Sequence, residues 1–252
     1  EGDKAIKASG EKYVPRLSGQ EDKDYLAYLN RVNFTNATAR TVDALTGLIF
    51  AKDVKVDTPL SQEQLDSITN TKQSVYELAE NIVSEVISVG RCGLLVDATS
   101  ANIETRENGT PYVSVYKSED IINWKYTNNK LSLVVLKELS LTDTDDEFVQ
   151  KVITNYRVLD LFEGKYRQRL FTELDKQYSS VMEVFPTANG KYLSDIPFVC
   201  VGVQDLSLEP NKSPILDLVD TNITHFKYDI DRGNALHFVG IPTPYITGHN
   251  KE

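Results

Sequence analysis

The chain has 252 residues, 40% of them hydrophobic and 25% charged, with a formal charge of -10 at pH 7 from 37 acidic and 27 basic side chains. This is the balance of a globular protein, not a disordered one, and neither a run of 18 apolar residues nor a basic-then-apolar leader marks a membrane span or a signal peptide. A cytoplasmic protein is expected, and the acidic balance excludes a sequence-reading nucleic-acid binder while leaving room for a surface past which DNA slides.

Residues 1–20 are polar, and Tyr13-Val14-Pro15 favours extended backbone, so a surface arm is expected there. From Glu21 the positions of Tyr25, Leu26, Leu29 and Val32 predict a helix with a narrow apolar face, and Ala37 to Ile49 predicts a second after a break at Asn33 to Asn36. Ser61 to Ile68 reads as a short helix. The strongest pattern follows. Val75, Leu78, Ala79, Ile82, Val83, Val86 and Ile87 form one helical stripe, with Ser74 and Glu77 spaced as a capping box before it and Gly90 as a left-handed stop after it. Arg91 is expected near the helix carbonyls, and Gly93 is expected to open a buried strand, Leu94 to Val96.

Residues 98–109 are polar, and strand character resumes over Tyr112 to Tyr116. Ser118 to Trp124 reads as a helical turn burying Ile121 and Ile122. Asn128-Asn129 and Glu163-Gly164 each join two strand-like runs as hairpins. Thr142 to Glu147 is read as a solvated tip: its carboxylates lack the glycine and terminal glutamate of an EF-hand loop. Ile196 to Val203 is a buried strand with Pro197 at its start or edge. Ser213-Pro214 then predicts the N-cap and first position of a last helix, ended by Gly233. Its Leu216, Val219, Ile223, Phe226 and Ile230 form a narrow seam, either packed on another copy or on the chain's own domain, while Asp217, Thr221, Thr224, Tyr228 and Arg232 lie on a wet face. Leu236 to Gly248 has strand composition broken by Pro242 and Pro244.

Chemistry is missing from these patterns. There is no GxSxG elbow, no HExxH and no strand-led phosphate loop. The glycine-arginine-cysteine-glycine turn at 90–93 follows a helix instead of leading into one, so it is no phosphate cradle and Arg91 no phosphate ligand. Cys92 and Cys200 read as buried free thiols, and three histidines between 225 and 249 make no zinc pattern. No catalytic residue, cofactor or metal is assigned. With Met182 as the only methionine, a fragment of a longer chain is expected.

The order of YVPR, RVNFTNATARTVDALTGLIF, SVGRCGLLVD, PYVSVYKSEDIINW and NKSPILDLVDTNITHFKYDIDRGNALHFVGIPTPYITG resembles the portal (head-to-tail connector) proteins of tailed bacteriophages. The resemblance implies an α+β fold: a wing of helices packed on a mixed sheet and β-meander, then a long stem helix and the start of a β-containing clip. Carried onto this chain, residues 1–20 are an arm, 21–205 the wing, 206–235 the stem region and 236–252 the start of the clip. It also implies a ring, usually of twelve copies, at one capsid vertex. Such a ring conducts double-stranded DNA during packaging and ejection without reading it, and docks the terminase large subunit, capsid, scaffolding and head-completion (adaptor) proteins. The location implied is the virion, with the host cytoplasm during assembly. Leu216, Val219, Ile223, Phe226, Ile230, Phe238 and Ile241 would then meet neighbouring copies, and Asp217, Thr221, Thr224, Tyr228 and Arg232 would face the channel. The returning stem helix, tunnel loop, crown and rest of the clip of that family have no counterpart in this sequence. The alternative is an α+β enzyme or small-ligand domain whose site lies in residues not present or is assembled from carboxylates that form no known motif.

Overall fold

The computed structural model describes residues 2–52, 54–98, 109–143, 148–174, 177–240 and 247, and within them it is an α+β protein. The chain divides into two compact units, residues 1–48 with 215–252, and residues 49–214.

The smaller unit is helical: α1 (Asp3–Ala8), α2 (Asp22–Arg31), α3 (Ala37–Ile49) and the long α6 (Leu216–Gly240). Its core is Val14, Tyr25, Phe226 and Ile230, flanked by Ile6, Tyr13, Tyr28, Leu29, Val32 and Phe34. The Tyr25 hydroxyl donates to the Val14 carbonyl at 2.9 Å, and Phe34 meets Phe226 edge-on with ring centroids 5.2 Å apart. This corrects the expected surface arm. Residues 3–8 are helical and Val14 has no solvent exposure, because the few apolar residues among these polar ones cover one side of α6.

α6 also departs from its expected ends. Ser213-Pro214 is not its cap: the helix begins at Leu216, with the Val219 N–H bonding the Ile215 carbonyl, and the Ser213 hydroxyl donates to the Ile87 carbonyl. Nor does Gly233 end it. Glycine costs only about 1 kcal/mol inside a helix, and the turns on either side carry the chain on to Gly240, so residues 236–240, expected as strand, are helical.

In the larger unit α4 (Gln62–Asp66) and α5 (Val75–Val89) precede ten strands. Both helices carry capping boxes, Ser61 with Gln64 and Ser74 with Glu77, and α5 closes on Gly90 at φ 97°. A Cβ at Gly90 would stand 2.4 Å from the Asn211 carbonyl oxygen, so close approach and conformation both require glycine. The α5 stripe lies on its covered side, although Leu78 alone is fully buried and the rest of the stripe is half-buried.

The strand after it is β1 (Arg91–Ala98), which begins at Arg91, two residues before the expected Gly93. It lies between β10 (Phe198–Gly202) and β2 (Pro111–Lys117), antiparallel to both. Gly93 sits mid-strand between Tyr116 and Cys200, where a Cβ would reach within 2.5 Å of the Phe198 ring. The expected helical turn is a 3-10 turn over Ser118–Asp120. β3 (Ile121–Thr127) starts directly after it, so strand alternation buries Ile121 and leaves Ile122 exposed, contrary to expectation.

A five-stranded antiparallel meander follows: β3, β4 (Lys130–Asp143), β5 (Gln150–Phe162), β6 (Lys165–Leu174) and β7 (Gln177–Val184). The two expected hairpin turns have both central residues at positive φ, 51° and 62° at Asn128-Asn129 and 50° and 76° at Glu163-Gly164. A small hairpin, β8 (Thr187–Ala188) with β9 (Lys191–Tyr192), precedes β10. The ladders are all antiparallel, with one isolated parallel bridge from Thr69 to Val113. The two larger sheets share a core through Leu95, Tyr116, Ile121, Val134, Leu136, Leu159, Tyr166 and Phe198. Of the acidic tip, residues 144–147 lie outside the described residues.

Candidate functional site

α6 holds most of the residues singled out from the sequence. Its inward face is Val219, Asn222, Phe226 and Ile230, a spacing of three, four and four. Phe226 and Ile230 are buried against the N-terminal elements of the same unit, which leaves them no free surface for another copy. The wide spacing of the seam gave no means of telling an intramolecular from an intersubunit partner; the tertiary packing decides it for these two positions. Val219 and Ile223 are half-buried and line a small hollow with Ile6, Tyr13 and Phe34, whereas Leu216 remains 40% exposed. The helix carries Phe238 in its last turn, and Ile241 lies outside the described residues.

The opposite face is wet. Asp217, Thr221, Thr224, Tyr228 and Arg232 are all exposed, Tyr228 by 70%. The threonine hydroxyls donate back to the carbonyls of Asp217 and Asp220 at 2.8 Å, and Arg232 is held by Asp229 at 2.5 Å. This stripe therefore presents a carboxylate, satisfied hydroxyls, a phenol and a partly neutralised guanidinium.

Between α2 and the C-terminal half of α6 lies a cleft of about 570 Å³. Leu17, Tyr28, Val32, Ile230 and Leu236 supply apolar walls, and Asn234 donates to the Tyr28 hydroxyl at 2.8 Å. Asp24 and Asp229 line it together with Arg31 and Arg232, so both signs of charge meet there.

A polar cluster that the sequence did not single out lies between the sheets of the larger unit. Arg157 Nε donates to Glu138 at 2.6 Å and its Nη1 to Asp97 at 3.2 Å and Gln168 at 3.0 Å, while the Tyr116 hydroxyl donates to Glu138 at 2.5 Å. Burial and the Glu138 carboxylate push the Tyr116 phenol well above its usual range, so it stays a donor. The Tyr166 hydroxyl is buried beside this cluster, next to Gln168, and burial pushes it above its ordinary range. Two sheets face each other across it, and the arrangement is that of a structural pin. The alternation of strands β4 and β5 places Glu138 and Arg157 on the core face, but only the register between two sheets brings Asp97 to them.

Arg91 does not meet the α5 carbonyls as expected. Its side chain is buried, donating to the Ser118 hydroxyl at 2.9 Å and to the Leu208 carbonyl, with its guanidinium 4.8 Å from the Trp124 ring centroid. β1 aims it across the sheet, toward the 3-10 turn, and all its donors serve the fold. Cys92 and Cys200 are buried free thiols on adjacent strands, and burial pushes Cys92 up to about 12, which keeps it protonated and inert. Among the described residues no group of three or more His, Cys, Asp or Glu side chains comes together as a metal site, and no helix is long and apolar enough to cross a membrane.

The fold and these surfaces define an α+β protein whose sequence-marked residues converge on one long helix. A family model described as a domain of unknown function (DUF4055) matches residues 214–252, which contain that helix. No curated protein matches the chain.

Proposed function

We propose that this chain is a portal subunit of a tailed bacteriophage, one copy of a ring at a capsid vertex that conducts DNA and docks the terminase motor and head-completion proteins. The observation that carries the reading is α6. It is 25 residues long, roughly 37 Å at 1.5 Å per residue, with one side covered by its own unit and the other exposing Asp217, Thr221, Thr224, Tyr228 and Arg232. On that exposed side the single guanidinium is tied to Asp229 and the threonines to helix carbonyls. Such a face gives a moving duplex few fixed cations at which its phosphates could stall. The segment order that resembles portal proteins gives the reading its second support.

The test is particle mass. Mass photometry of the full-length protein is expected to show a closed ring of many copies. A monomer or small oligomer at every concentration would overturn the portal reading and favour an α+β enzyme or small-ligand domain.

A further inference from the structure

The turn of the β8–β9 hairpin is Asn189-Gly190, with both residues at positive φ, 51° and 74°. Asparagine followed by glycine suits a two-residue turn of this hand, because both tolerate the left-handed region. The hairpin is slight. Its ladder is Thr187 opposite Tyr192 and Ala188 opposite Lys191, it pairs with no other strand, and residues 187–192 are all exposed. A hairpin of two strands is marginal by itself in water, so this turn opens at little cost to the rest of the unit. The space around it is open too: a Cβ built on Gly190 would meet nothing within 4 Å.

We infer that Asn189 is a site of spontaneous covalent modification, deamidation to aspartate and isoaspartate through a cyclic imide. Hydroxide removes the Gly190 amide proton, and the nitrogen attacks Cγ of Asn189. The new N–C bond closes a five-membered succinimide, the bond from Cγ to Nδ2 breaks, and ammonia leaves. Water then opens the ring: addition at Cγ restores the main chain as aspartate, and addition at the main-chain carbonyl leaves isoaspartate, with the chain running through Cβ. Glycine acts twice, permitting the turn and leaving its own nitrogen unshielded by a side chain. The chain holds its own comparisons. Asn128-Asn129 makes the same kind of turn, at φ 51° and 62°, but the residues that follow these asparagines, Asn129 and Lys130, both carry side chains, and the flanking ladder runs on to Leu136. Glu163-Gly164 has the glycine and lacks the carboxamide. Isoaspartate would put an extra methylene into the main chain of a two-residue turn, so the Thr187–Tyr192 register is lost. Either product adds a negative charge to a chain already at -10. The chemistry needs no partner and is the same in a monomer or a ring.

The experiment uses the full-length protein, incubated folded at a series of neutral to mildly alkaline pH values and then digested. Each asparagine-containing peptide is read by mass, for an amide turned into a carboxyl, and by methyl transfer from a protein isoaspartyl methyltransferase. Digestion separates position 189 from Asn108, which stands in the other Asn-Gly pair of the sequence. Asn189 should convert ahead of Asn128 and Asn129, accumulate isoaspartate, and convert faster as pH rises. Gly190→Asn copies the turn at 128–129, so circular dichroism should be unchanged while conversion at 189 slows by about tenfold or more. Conversion of Asn128 or Asn129 as fast as Asn189, or an unchanged rate in Gly190→Asn, would overturn the inference. So would an Asn189 that stays an amide in the folded protein and converts only in urea, since the hairpin would then protect it.

Discussion

Arg157 ties β1 to the five-stranded meander. It holds two carboxylates, Asp97 and Glu138, in a cluster whose charged side chains are all mostly buried. Arg157→Met would leave those carboxylates facing each other, so a loss of about 3 to 5 kcal/mol is expected in urea unfolding. A loss below about 1 kcal/mol would show the cluster to be incidental. Glu85 shows the opposite electrostatic sense. Burial and then the Glu119 carboxylate raise its carboxyl above the ordinary range, and Asp120 is raised for the same two reasons. A carboxyl raised in the fold favours folding when protonated, so its contribution is full at pH below the unfolded value and is lost as pH climbs through the raised one. The melting temperature of Glu85→Gln should therefore gain on the parent's between mildly acidic and neutral pH. A difference that stays constant over that range would contradict this.

At the scale of elements, the turn from α5 into β1 is the least replaceable joint. Gly90 combines φ 97° with a Cβ position 2.4 Å from the Asn211 carbonyl oxygen. Gly90→Ala is expected to cost on the order of 2 kcal/mol or more, read as a lowered thermal midpoint. In α6 the buried and exposed positions should separate cleanly. Phe226 touches Phe34 in the core of its unit, and Phe226→Ala should lose about 3 to 5 kcal/mol of stability. Leu216→Asp, at an exposed position, should leave the fold intact and act on assembly alone. If Phe226→Ala melted like the parent, the packing of α6 on the N-terminal elements would be wrong.

For the whole molecule, the polar stripe of α6 predicts how assembly and DNA handling come apart. Asp217→Lys changes an exposed side chain and is expected to leave particle mass as it is while adding a fixed cation to the stripe. DNA retention by the assembled particle should then rise and become more sensitive to salt, because each phosphate neutralised releases counterions. Retention with an unchanged salt slope would remove this stripe from the path of the DNA.

What the sequence determined by itself was local. The capping box at Ser74 and Glu77, the left-handed Gly90, and the turns at Asn128-Asn129 and Glu163-Gly164 rest on backbone chemistry within a few residues, and each is where the pattern placed it. The α+β class that the resemblance implied is the class observed. What only the tertiary structure decided depends on partners distant in the chain. Gly233 suggested a stop that the helix passes, since one glycine is a weak cost against the turns around it. The polar N-terminal residues hid Val14 because three apolar side chains count for little until α6 offers a surface to cover. The all-exposed β7 has no apolar alternation and forms by pairing with β6. The Asp97–Glu138–Arg157 cluster joins residues from three strands and two sheets, and no spacing along one chain encodes which strands will meet.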